Sequence, residues 1–156
     1  MTRVVRIHSF GGTDVLSLED DEIGAPGPGQ VLLAQQGMAV HFADTMLREG
    51  KYLLKPALPA VIGLDGAGIV EAVGPGVTAV KPGDAVCYLF NLGAYAEKRL
   101  IDADALMPVP AGVEVRHMAG TLLRGMTAQY LLRQCYPVGP GDAVLIHTAA
   151  GGMGTL

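Results

Sequence analysis

The chain has 156 residues, half of them apolar and 17% charged, with a formal net charge of −4. That balance suits a compact core, excludes an intrinsically disordered chain, and leaves no basic field for nucleic-acid phosphates. No apolar run approaches the roughly 20 residues that span a bilayer, and Met1–Arg6 alternates like a strand instead of opening a secretory leader, so a cytoplasmic location with no membrane and no nucleic-acid partner is expected.

Val4 and Ile7 with their polar neighbours predict a short strand, Gly11-Gly12 a turn, and Val15–Glu19 a second strand. The run Gly24-Ala25-Pro26-Gly27-Pro28-Gly29 continues neither, because proline lacks the N–H donor and glycine the rigidity. A longer strand is expected over Val31–Val40, then about two helical turns over Phe42–Arg48, ended by Gly50. Past Pro56 and Pro59, the apolar stretch Val61–Val70 carries Gly63, Gly66 and Gly68. Glycines inside a strand pattern mark bulges or close approaches, so a bent strand is predicted there. Lys81-Pro82-Gly83-Asp84 and Gly139-Pro140-Gly141-Asp142 each place Pro-Gly-Asp before an apolar run. Proline at the second position and glycine at the third predict a type II turn in both.

Between Val115 and Tyr136 the period becomes helical. Met118, Leu122, Met126 and Tyr130 recur on one face, which is expected to be core, and Gly120 and Gly125 predict a weakened or divided helix. The domain boundary is placed here, with 1–118 β-rich and 119–156 opening a second domain. Cys87 and Cys135 belong to no CxxC and are read as buried, inert thiols.

The last segment pairs a continuous apolar run, Ala143-Val144-Leu145-Ile146-His147, with Thr148-Ala149-Ala150-Gly151-Gly152-Met153-Gly154. The run predicts a strand of a parallel sheet. The turn after it has the form that brings backbone N–H groups to a pyrophosphate, where any Cβ would hold the anion away. Taken by itself, a glycine-rich turn after a strand is compatible with other structures as well.

Several ordered motifs narrow the choice. They are Phe10–Leu16, Gly63–Gly74, Lys81–Val86, Gly93-Ala94-Tyr95-Ala96-Glu97, Gly125-Met126-Thr127-Ala128 and Ala149–Gly154. In these the chain resembles the quinone oxidoreductase (zeta-crystallin-like) branch of the medium-chain dehydrogenase/reductase family. The resemblance implies a mixed α/β, β-rich fold: a GroES-like, partly open β-barrel, then the first helix and strand of a Rossmann domain whose remainder lies outside this chain. It implies zinc-independent, NADPH-dependent hydride transfer to a quinone or α,β-unsaturated carbonyl, by a full-length protein expected to be a homodimer. It also implies site residues: Tyr52 toward the nicotinamide, Asp44 and Thr45 on a cleft-facing helix, Thr127 in the cleft, and Gly151, Gly152 and Gly154 in the pyrophosphate loop. His41 and Met46 depart from the asparagine and tyrosine usual in that branch, and His41 joins Tyr52 as a candidate donor to the reduced substrate.

His41 also falls where zinc-dependent relatives place a cysteine ligand. Their second ligand, a histidine, is Leu64 here, and one imidazole cannot hold catalytic zinc, so no metal is expected. Two alternatives stand beside the enzyme: an isolated domain with no activity of its own, and an enoyl reductase-type module.

Overall fold

The computed structural model describes residues 1–156. The chain divides into two compact units, Met1–Gly120 and Thr121–Leu156.

The first unit holds eight strands in two antiparallel sheets. Strand β1 (Thr2–Ile7) is central to the smaller sheet, between β2 (Leu16–Asp21) and β4 (Ala60–Val61). The larger sheet runs β7-β3-β5-β6-β8, comprising β3 (Gln30–Met38), β5 (Gly66–Val73), β6 (Ala85–Tyr88), β7 (Lys98–Asp102) and β8 (Met107–Pro108). Alternation along β3 buries Val31 and Leu33 beneath Val70, Val86, Tyr88 and Ile101. A second cluster, Ile7, Leu47, Ala60, Ile62 and Leu64, lies under the helix α1 (Phe42–Arg48).

The stretch expected as one bent strand is divided: β4 ends at Val61 and β5 starts at Gly66. Gly63, between them, takes φ +88, which a strand cannot use. The glycines inside β5 mark a close approach of the neighbouring backbone. A Cβ on Gly68 would stand 2.2 Å from the Ala34 carbonyl oxygen, beside the register shift at Gln35/Gly37. Val15, expected to open β2, instead closes a 3₁₀ turn at Thr13–Val15.

Helix α1 ends as predicted at Gly50. Its φ is +70, the Gly50 N–H reaches the Leu47 carbonyl at 3.0 Å, and the Lys51 N–H reaches Met46 at 2.8 Å. Together these form a Schellman closure that satisfies two end carbonyls.

The helix α2 (Val115–Tyr130) is continuous, contrary to the division expected at Gly120 and Gly125, and it runs on into a π-helical turn at Leu131–Cys135. A glycine costs only about 1 kcal/mol in a helix interior, too little to outweigh the ladder on both sides. Its apolar face is only partly core, since Ala119 and Leu122 are buried but Met126 and Tyr130 are half-exposed. Both cysteines are free thiols. Cys87 is buried as expected, but Cys135 is exposed, as is every residue of the π turn that carries it.

Both Pro-Gly-Asp turns form. Gly83 and Gly141 each take φ +93, and the Asp84 and Asp142 N–H groups close onto Lys81 and Gly139 at 3.1 and 3.2 Å. Beyond the second turn the structure corrects the expectation of a strand. Ala143–Ile146 is irregular, with Val144, Leu145 and Ile146 exposed. A strand exists only through ladder bonds to a neighbour, and Thr121–Leu156 contains no other strand.

Candidate functional site

The β-rich unit carries a buried polar cluster at the start of α1. Asp44, at the third helical position, reaches back so that its Oδ2 accepts the His41 N–H at 2.8 Å. This satisfies a donor that the helix start leaves over. The same oxygen accepts the Tyr95 hydroxyl at 3.1 Å. Nε2 of His41 stands 2.6 Å from Oδ2 of Asp65, with both side chains almost fully buried. The other Asp65 oxygen accepts the Phe90 N–H at 3.0 Å.

Burial is therefore imposed on two carboxylates, an imidazole and a phenol together. It raises Asp44 above the usual carboxylate range, against the lowering effect of the His41 N–H, and it drives the Tyr95 hydroxyl far above its ordinary value, with the Asp44 charge adding to the shift. Oδ1 of Asp44 has no hydrogen-bond partner, and the contact between His41 and Asp65 is too misaligned to count as a hydrogen bond. Buried polar atoms left this way are uncommon and concentrate at functional sites.

Asp65 also holds a strained backbone. Phe90 takes φ +52, rare for a bulky side chain, and its ring is 61% exposed. The next turn is clamped by Arg99, which donates to the Asn91 and Leu92 carbonyls at 2.9 and 2.8 Å and lies over the Tyr88 ring at 4.8 Å. Tyr88 in turn donates to Oε1 of Gln35, whose amide N–H groups reach the carbonyls of Ala94 and Ala96. Phe42, which follows His41 in the chain, is exposed as well.

The remaining site residues are placed as follows. Tyr52 leans its ring, partly buried, on the Ile7–Leu64 cluster. The Thr45 hydroxyl donates to the Phe42 carbonyl at 2.7 Å, and that of Thr127 to Leu123 at 2.7 Å, so both hydroxyl protons are used on the helices' own backbones. In the second unit, the Gly151 N–H closes onto Thr148 at 2.8 Å and the Thr155 N–H onto Gly151 at 3.1 Å. A Cβ on Gly154 would meet the Ala149 carbonyl oxygen at 2.4 Å, so this tight turn requires glycine. The N–H groups of Gly152, Met153 and Gly154 donate to no carbonyl of the chain, and such a run of free donors fits a phosphate group.

Sequence reasoning brought out His41 and Asp44 but gave no role to Asp65, Tyr95 or Phe90. An acid between glycines in an apolar run, Gly63-Leu64-Asp65-Gly66, was the available signal. No three His, Cys, Asp or Glu side chains converge as a metal site. A crevice lined by Asp21, Lys98 and Arg99 contains none of the predicted residues. No helix is long and apolar enough to cross a membrane.

Two antiparallel sheets and a short helix, followed by a long helix and a glycine turn, make a β-rich domain of the GroES-like class. Residues 27–140 match the alcohol dehydrogenase GroES-like domain, and the chain belongs to that family, as a quinone oxidoreductase-like member of the medium-chain dehydrogenases/reductases. It is 47% identical to the 2-haloacrylate reductase of a Burkholderia species, over 99% of this chain and 48% of that protein. It is 40% identical to the quinone oxidoreductase of Pseudomonas aeruginosa, over 99% and 47%. Its fold superposes on the Escherichia coli quinone oxidoreductase crystallised with NADPH at a TM-score of 0.90 and 37% identity, over 99% of this chain and 47% of that one. The chain thus spans about half the length of the relatives it matches.

Proposed function

We propose that this chain is the substrate-side portion of an NADPH-dependent, zinc-independent reductase acting on quinones or activated alkenes, in the cytoplasm and as a homodimer when full-length. The observation that carries the reading is 47% identity, along essentially the whole chain, to a protein described as reducing a 2-haloacrylate. The NADPH-bound relative of the same fold supports the choice of cofactor.

NADPH, when bound, supplies the hydride. In this reading the chain's own residues bind and orient. Gly151, Gly152 and Gly154 keep side chains away from the pyrophosphate while backbone N–H groups face it. Tyr52 is assigned to the nicotinamide, Thr127 to cofactor binding, and Thr45 presents hydroxyl lone pairs, its proton being committed to Phe42. Asp44 acts by holding the start of α1, and so the backbone of His41, in place. Reduction leaves an oxyanion on the substrate that needs donors, and His41 and Tyr52 are the side chains assigned to it.

The test is NADPH oxidation by the enzyme carrying a complete nucleotide domain, with a quinone and a 2-haloacrylate as acceptors and with chelator present and absent. Turnover unaffected by chelator is expected. Loss of turnover with chelator would overturn the zinc-independent reading, and absence of turnover with both acceptors would overturn the oxidoreductase reading.

A second reading has its own observation. Val144, Leu145 and Ile146 are 51%, 82% and 56% exposed, an unpaired apolar edge of the kind that promotes association. It predicts that the 156-residue chain by itself is inactive, binds NADPH weakly and self-associates. A stoichiometric, tight NADPH isotherm from this chain would refute it.

A further inference from the structure

Arg124 lies on α2 within the second unit, and its guanidinium sits against the glycine turn. A Cβ placed on Gly152 would come within 2.8 Å of Cζ and Nε of Arg124 and 3.0 Å of one Nη. The side chain is partly buried and makes no ion pair or hydrogen bond within the chain. The acidic side chain of this unit, Asp142, accepts the Gly139 N–H at 2.8 Å and is engaged in its own turn. A guanidinium with no partner in the chain keeps its donors available to an anion. Beside it lie the unpartnered N–H groups of Gly152, Met153 and Gly154. Gly152 and Met153 are exposed, so these amides are accessible to a ligand.

We propose that Arg124 is a phosphate-binding residue, its guanidinium and the Gly152–Gly154 amides together holding the pyrophosphate of a dinucleotide. This rests on the NADPH reading for the identity of the dinucleotide, while the anion site stands on the geometry alone. A planar guanidinium matches two phosphate oxygens at once and keeps its charge at all working pH. Glycine at 152 then has two uses: it opens the backbone to the anion and leaves room for the arginine.

The experiment is a titration of the ¹⁵N-labelled 156-residue chain with sodium pyrophosphate at constant ionic strength, followed by NMR, for the unaltered chain, R124Q and R124K. Dispersed signals from the β-rich unit report that each variant folds. The expected result is movement of the Gly152, Met153 and Gly154 amide signals, with affinity about tenfold weaker in R124Q and partly recovered in R124K. Equal affinity in R124Q, absence of movement at saturating pyrophosphate, or movement spread over Arg133 and the lysines would each overturn the proposal. The two readings fail separately. Pyrophosphate held through Arg124, with no NADPH oxidation by the enzyme carrying its nucleotide domain, removes the oxidoreductase reading and keeps the site. Turnover together with Arg124-independent pyrophosphate binding does the reverse.

Discussion

Lys81–Asp84 and Gly139–Asp142 are the same turn in different surroundings. Both close an i to i+3 hydrogen bond, both use a glycine at φ +93, and in both the aspartate carboxylate takes the first residue's N–H, at 2.9 and 2.8 Å. After the first turn the chain enters β6, which pairs with β5 on one side and β8 on the other and buries Val86, Cys87 and Tyr88. After the second, an equally apolar run stays irregular and exposed. Local chemistry decides the turn, and partners decide whether a strand follows it. An apolar run with no ladder to join keeps its side chains in contact with water.

That contrast can be tested by substitution, and the largest effect belongs to the paired region. Gly68→Val places a branched side chain where a Cβ alone meets the Ala34 carbonyl at 2.2 Å. Because backbone cannot yield as a flexible side chain does, a loss of at least about 3 kcal/mol in urea unfolding is expected. A smaller loss would mean that β3 and β5 can separate at their bulge without harm to the barrel.

The buried cluster gives a pH dependence of intermediate size. Asp44 is held above its ordinary range by burial, so the folded chain binds that proton more tightly than the unfolded chain. The resulting stability is fully present below the unfolded value and is lost as pH rises through the folded value. Asp44→Asn should flatten this part of the stability profile, measured by urea unfolding at a series of pH values upward from about pH 4. An unchanged slope in the variant would assign the dependence to other carboxylates.

The smallest pair of effects bears directly on the two turns. Gly83→Ala imposes the left-handed backbone on a residue with a Cβ and should cost about 1 kcal/mol of cooperative unfolding. Gly141→Ala carries the same local strain but opens onto no ladder, so the cooperative transition should move by less than about 0.5 kcal/mol. Equal effects would show that Ala143–Ile146 unfolds together with the barrel.

Much of the site was readable from the sequence wherever a residue's role depends on its immediate neighbours. Gly50 ends α1 and Gly83 and Gly141 form their turns as expected, whereas Asp44 was singled out by the family resemblance and its capping of α1 came from the structure. Asp65, Phe90 and Tyr95 were not readable, because Asp65 meets His41, Phe90 meets Asp65 and Tyr95 meets Asp44 across separations of more than twenty residues. Periodicity carries no information about such meetings. The same limit applies to Cys135, which lies in a stretch, 131–137, that no other part of the fold covers.

By itself the sequence determined the Pro-Gly-Asp turns, the end of α1 at Gly50, the apolar alternation of β1 and β3, and the order of motifs that places the chain in its family. Those features depend on φ preferences, hydrogen-bond donors and side-chain polarity within a few residues. Only the tertiary structure decided that Val61–Val70 breaks into two strands, that Ala143–Ile146 forms none, and that His41 is buried against Asp65. Each of these depends on which backbone or charge arrives from a distant part of the chain, and desolvation and ladder pairing act only once it has arrived.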